Sequence, residues 1–112
     1  MNIQIFGKAK CFDTKKAERY FKERRIKYQL IDIVKYGISK DEYASVKAAV
    51  GGMDALIDTK SREYENQHIA YIVNTDIEER LLDNPGMFKT PIVRNGKKAT
   101  VGYCPEVWGA WE

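Results

Sequence analysis

A chain of 112 residues, 44% apolar and 31% charged, is long enough to bury one core and carries none of the bias of disordered, fibrous or disulfide-dense proteins. The formal charge of +3 is small, and Lys and Arg are mixed with Asp and Glu along most of the length, which does not single out direct nucleic-acid binding. No run reaches the roughly 18 apolar residues of a membrane span, no leader-like segment opens the chain, and one histidine with two distant cysteines lacks zinc-ligand spacing; we therefore expect a cytoplasmic protein without bound metal or cofactor.

The first element, Ile3 to Phe6, alternates and is short, which predicts a strand. A helix is predicted from Thr14 to Arg25, with Ala17, Tyr20 and Phe21 on one face and Asp13 or Thr14 capping its first turn. Arg24 and Arg25 read as the solvated, electronegative end of that helix. Between strand and helix stands Cys11. A sulfur at a helix start meets unpaired N–H groups and the positive end of the dipole, both of which favour thiolate. Lys8, Lys10, Lys15 and Lys16 against Asp13 give residues 8–16 a formal +3, equal to that of the whole chain. A free cysteine is also commonly a small buried hydrophobe, but the flanks here are polar. Thr14 is placed either to cap the helix or to donate a hydrogen bond to the thiolate. The two cysteines, in a chain without a secretion signal, read as reduced thiols or a catalytic pair more readily than as a structural staple.

Tyr28 to Ile33 reads as a second strand, and a crossover of this length makes the two strands parallel. Ser39-Lys40-Asp41-Glu42 is a capping-box pattern opening a helix that runs to Val50 and stops at Gly51-Gly52. Residues 53–74 suit short helices and loops, and His68 is expected on their surface. Thr75-Asp76-Ile77-Glu78 opens another helix with Ile77, Leu81 and Leu82 on one side, ended by Asn84-Pro85-Gly86. Pro91 to Arg94 and Ala99 to Gly102 flank Asn95-Gly96, a strong hairpin signal, and Pro105 to Trp111 reads as a closing helix. The aromatics, Trp108 and Trp111 included, read as core and rim packing, because no basic stripe accompanies them. The order is β-α-β, a helical insertion at about 37–88, then β-β-α: one α/β domain over 1–112 with a four-stranded mixed sheet, the thioredoxin-like arrangement.

Several segments in this order resemble the thioredoxin-like arsenate reductase (ArsC)/Spx family. They are Cys11-Phe12-Asp13-Thr14-Lys15-Lys16-Ala17, Gly52-Met53-Asp54-Ala55-Leu56-Ile57, Lys60-Ser61-Arg62-Glu63-Tyr64, Asn84 to Val93, and Val101-Gly102-Tyr103-Cys104-Pro105-Glu106-Val107. The resemblance implies a nucleophilic Cys11, a cis peptide before Pro91 and backbone contacts to substrate from Thr90 and Pro91, while Lys8 and Lys10, as the cations flanking the sulfur, are expected to lower its pKa and to meet the substrate. The family's arsenate reductases hold the oxyanion with three arginines, whose bidentate forks suit it. By alignment those positions are Asp58, Thr90 and Cys104 here, with Arg62 and Arg94 as the nearest substitutes. Spx regulators usually carry a second cysteine three residues after the first, where this chain has Thr14, which excludes a disulfide within the turn. Gly52 matches a glycine that Spx uses against RNA polymerase, although a Gly-Gly pair is also how a helix ends.

The resemblance thus implies an ArsC-like thiol-dependent oxidoreductase, poorly equipped for arsenate, with glutathione or a thioredoxin-type thiol as co-substrate and Cys104 as a candidate resolving thiol. The alternatives are an Spx-like regulator binding the RNA polymerase α subunit, or a glutathione- or thioredoxin-linked arsenate reductase.

Overall fold

The computed structural model describes residues 2–66 and 74–111. Strand β1 (Ile3–Gly7) lies inside a four-stranded sheet of order β2-β1-β3-β4, with β2 (Tyr28–Asp32), β3 (Ile92–Asn95) and β4 (Lys98–Val101). The β1 and β2 strands run parallel with Ile5 opposite Leu30, while β3 is antiparallel to both β1 and β4. This is the expected mixed, thioredoxin-like sheet.

Alternation along the central strands builds two cores. Ile3, Ile5 and Val93 face helices α1 (Phe12–Glu23) and α6 (Pro105–Ala110), packing with Ala17, Tyr20, Phe21 and Trp108. Phe6 and Ile92 face the opposite way, onto the insert, with Val46, Leu56, Leu81 and Phe88. Trp108 is fully buried, and its indole N–H donates to the Thr100 hydroxyl at 2.8 Å, so the largest core side chain leaves no polar atom unsatisfied.

Between β2 and β3 the described residues form α2 (Ile33–Tyr36), α3 (Lys40–Val50), a 3-10 turn at Met53–Ala55, α4 (Arg62–Asn66), α5 (Asn74–Asp83) and a second 3-10 turn at Pro85–Met87, all but α2 within the insert. The Ser39 capping box is complete: the Ser39 hydroxyl accepts from the Glu42 N–H at 3.1 Å, and the Glu42 carboxylate accepts from the Ser39 N–H at 3.0 Å. Gly51 ends α3 at φ 89°, and the N–H groups of Gly51 and Gly52 both return to the Lys47 carbonyl. Lys47 also bonds Glu78 at 2.8 Å, tying α3 to α5 and holding the Glu78 carboxyl below its usual range. The Tyr43 hydroxyl is buried without a hydrogen bond of good geometry, and burial together with the neighbouring Glu78 carboxylate keeps the phenol neutral. Ile77 and Leu81 are buried as expected, whereas the capping side chains at Thr75 and Asp76, and His68, lie outside the described residues. Among the described residues no helix is long and apolar enough to cross a membrane.

Three of the boundaries that differ from the sequence expectation have a visible cause. Strand β2 stops at Asp32, whose carboxylate accepts from the N–H groups of Val34 and Lys35 and so starts α2, an element absent from the sequence reading. In the hairpin Asn95 pairs with Lys98, which makes Gly96-Lys97 the two-residue loop, with Gly96 at φ 61°. Helix α1 begins at Phe12 rather than at Thr14, so Cys11 is itself the N-cap residue (φ −87°, ψ 117°) and neither Asp13 nor Thr14 serves as cap.

The reason for that third shift is Gly7. Thr14 is 3% exposed and lies so close to the end of β1 that a Cβ on Gly7 would sit 2.3 Å from its methyl carbon and 2.8 Å from its hydroxyl oxygen. Only glycine lets the first turn of α1 rest on the strand. We expect Gly7→Ala to force Thr14 and that turn outward at about 1–3 kcal/mol, the usual cost of overpacking, read as a lowered urea midpoint at unchanged m-value.

Candidate active site

Cys11 is positioned by the tight connection from β1. Its N–H returns to the Lys8 carbonyl at 3.1 Å, and the Lys8 N–H donates to the Thr14 hydroxyl oxygen at 3.4 Å. With that oxygen already accepting, the Thr14 O–H is left to donate, and the sulfur of Cys11 is its partner.

On the far side of the sulfur is the loop ahead of β3. The Thr90-Pro91 peptide is cis, Pro91 is buried, and the thiol makes a weak 3.6 Å contact to the Thr90 carbonyl. The Gly102 N–H donates to the Pro91 carbonyl at 2.8 Å, which brings the end of β4 alongside. A third wall comes from the insert. Ile57 and Phe88 form an isolated antiparallel bridge, flanked by bonds from the Asp58 N–H to the Met87 carbonyl and from the Lys89 N–H to the Leu56 carbonyl, each 2.7 Å. This brings Asp58 and Lys89 to the site. Lys8 closes the fourth side, its ammonium donating to the Gly86 carbonyl at 2.8 Å.

The result is an open cavity of about 770 Å³ with Cys11 in its wall, lined by Lys8, Lys10 and Lys89 as cations and Asp13 and Asp58 as carboxylates. That volume accommodates a ligand of peptide size.

Partial burial pushes the Cys11 thiol up, but hydrogen bonding from the Thr14 and Thr90 side chains and the Thr14 and Asp13 backbone outweighs it, leaving the group below its ordinary value. The thiolate is therefore stabilised by dipoles. The sequence pointed to the lysines, but Lys8 directs its charge at Gly86 and Lys10 is exposed, where water screens it.

Of the residues singled out from sequence, Cys11, Lys8, Lys10 and Thr90 line one cavity, with Thr14 and Pro91 directly behind it. Arg94 is elsewhere: it stands opposite Gln4 on the sheet and spends its guanidinium on the Gln4 side chain at 2.9 Å and the Gly96 carbonyl at 3.1 Å. The third residue of β3, four positions after Thr90, points away from the Thr90-Pro91 loop. Arg62 is exposed on α4 and does not line the cavity either. Cys104 is the N-cap residue of α6, packs against the core under α1 and α6, and donates to the Val101 carbonyl at 3.4 Å; it is not among the residues lining the Cys11 cavity. Sequence reasoning missed Lys89 and Gly7. A glycine closing the strand seven residues before Thr14 was the visible signal for the second; for Lys89 the signal was its place next to Thr90-Pro91.

The ArsC family model matches residues 6–111. The global transcriptional regulator Spx of Staphylococcus aureus is 29% identical over 104 residues, spanning 90% of this chain and 79% of the regulator. Among solved structures, arsenate reductase from Vibrio cholerae superposes with a TM-score of 0.84 at 19% identity, covering 96% of this chain and 94% of that one. An arsenate reductase related protein from Brucella melitensis does so at 0.70 and 22%, covering 99% and 94%. At such identities the structural likeness is one of fold. With the family model running from β1 through the cysteine turn and the cis-proline loop to α6, the chain belongs to the ArsC family.

Proposed function

We propose that the protein is a thiol-dependent oxidoreductase of the cytoplasm, with Cys11 as its nucleophile. The observation that carries this reading is a thiol held at the start of α1, favoured as thiolate by the Thr14 hydroxyl, in the wall of an open cavity. The Cys11 thiolate attacks one sulfur of a disulfide; the bond to Cys11 forms as the substrate S–S bond breaks, and the departing thiolate takes up a proton. A second thiol, glutathione or a thioredoxin-type protein, then attacks the mixed disulfide and leaves Cys11 reduced, its own oxidation balancing the cycle. Thr90 and Pro91 offer backbone groups to the bound substrate. Cys104, turned toward Val101 and the core, favours an external thiol for the second step.

The lining argues against efficient arsenate reduction. Its cations are lysines, point charges without the planar fork that grips a tetrahedral oxyanion, and Asp58 adds a carboxylate where attraction is needed.

One observation favours a second reading, a transcriptional regulator whose thiol is a sensor: the 29% identity to Spx over nearly the whole chain. Gly52, however, is already employed in ending α3, with its N–H on the Lys47 carbonyl.

Three outcomes are expected. The iodoacetamide rate of Cys11 rises with pH through an inflection below the ordinary thiol value of about 8.5, since a depressed group is already thiolate at lower pH; an inflection at or above that value removes the activated nucleophile. Thr14→Val, which keeps shape and deletes the donor to the sulfur together with the long acceptor contact to the Lys8 N–H, shifts the inflection upward and slows alkylation at pH 7 by up to about tenfold, the worth of one hydrogen bond to a charged acceptor. In a pull-down, the immobilised protein fails to retain the C-terminal domain of the RNA polymerase α subunit whether Cys11 is reduced or oxidised; retention would establish the regulatory reading.

A further inference from the structure

Formal charge is segregated along this chain. Residues 8–27 hold nine Lys and Arg against three Asp and Glu, a formal +6, whereas residues 37–88 hold five against ten, a formal −5. The basic segment is the cysteine turn, α1 and the start of the next connection, so the positive charge surrounds Cys11 and runs down one helix.

On that helix Lys16, Arg19 and Arg24, with Tyr20, Tyr103 and Pro105, line a groove of about 490 Å³, in which Glu23 supplies the carboxylate. The cations are arranged over rings. The Lys16 ammonium is 5.7 Å from the centre of the Tyr103 ring, and the Arg24 guanidinium 3.8 Å from that of Tyr20. The Lys16 ammonium lies 4.0 Å from the Asp13 carboxylate, both side chains about half exposed, a pairing worth little in water. The groove adjoins the Cys11 cavity: Asp13 of the cavity lies 4.0 Å from Lys16 of the groove, and the consecutive residues Gly102 and Tyr103 line the one and the other. Exposed aromatic surface accompanies it: Phe12, the residue after Cys11 and one helical turn before Lys16, is 79% exposed and Tyr103 is 45% exposed.

We propose that this groove is the docking surface for an acidic, extended segment of a protein whose disulfide reacts at Cys11. The proposal rests on Cys11 being a thiol–disulfide nucleophile. Cations at the Lys16 and Arg19 positions on successive turns of one helix face meet carboxylates spaced along a strand-like peptide, and the exposed rings of Tyr103 and Phe12 supply apolar contact. The segregated charge steers such a segment to this face and away from the acidic insert. A nucleic acid fits less well, because it carries no disulfide to react with the Cys11 thiol.

The test uses two peptides of equal length, each with one cysteine activated as a mixed disulfide with 2-thiopyridine and flanked by glutamates or by serines. Attack by Cys11 forms the protein–peptide disulfide and releases thiopyridone, which is followed by absorbance. The glutamate peptide should react about tenfold faster than the serine peptide at ~0.01 M salt, and the advantage should vanish at ~1 M salt. It should also vanish in Lys16→Glu/Arg19→Glu, with the serine peptide's rate and the circular dichroism spectrum unchanged. Amide shifts at Lys16, Arg19 and Tyr103, induced by the glutamate peptide with serine in place of cysteine, measure docking without chemistry. Equal rates and absent shifts overturn the docking surface while leaving the oxidoreductase reading intact. Shifts without any reaction overturn that reading and leave the surface. Larger shifts with oligo-dT than with the peptide assign the face to nucleic acid and overturn the proposal.

Discussion

The contact between Gly7 and Thr14 is the constraint on which the site depends. A strand that ended in any residue with a side chain would hold α1 away from the sheet. Because β1 ends in hydrogen at that point, the helix settles onto the strand, Thr14 becomes buried, and its hydroxyl is aligned between the Lys8 N–H and the Cys11 sulfur. The same contact moves the start of the helix back to Phe12 and makes Cys11 the N-cap residue, where its sulfur meets unpaired N–H groups. Packing and pKa are thus two readings of one close approach.

The electrostatics follow from how charge and dipole differ with exposure. Hydroxyls and amides near a partly buried sulfur act at short range with little screening, whereas an ammonium on a flexible stem in water contributes little per pair. Three lysines and two carboxylates therefore make a cavity that is polar and adaptable without a rigid oxyanion grip. A thiolate favoured by fixed dipoles, in a wall lined by loosely held charges, suits sulfur electrophiles carried on varied partners better than one small multiply charged ion.

Much of the architecture was legible in the sequence because the signals were local. Ser39 and Glu42 announce a capping box, Gly51 a helix end, Asn95-Gly96 a hairpin to within one residue, and alternation from Ile3 to Phe6 the strand β1. What escaped had a non-local cause. Thr14 is an ordinary cap in sequence and becomes a buried donor only because a strand residue seven positions earlier lacks a Cβ. Arg94 reads as near the cis-proline loop, yet the pleat of β3 directs it to Gln4. Asp32 was read as part of a strand, and its competition with the ladder for backbone N–H groups ends that strand. Lys89 reaches the cavity through the Ile57–Phe88 bridge, a pairing across 31 positions that no periodicity encodes.

The bond from the Lys8 ammonium to the Gly86 carbonyl links the turn bearing the cysteine to the last turn of the insert, 78 residues away in the chain. It is a thermodynamic linkage as well as a contact. Whatever draws the Lys8 ammonium toward a ligand in the cavity loosens its hold on the segment after α5, and whatever shifts that segment alters the charge presented beside the sulfur, by equal free energies in the two directions. The insert is in this sense a second handle on the thiol, acting through the Lys8 side chain as well as through the wall that carries Asp58.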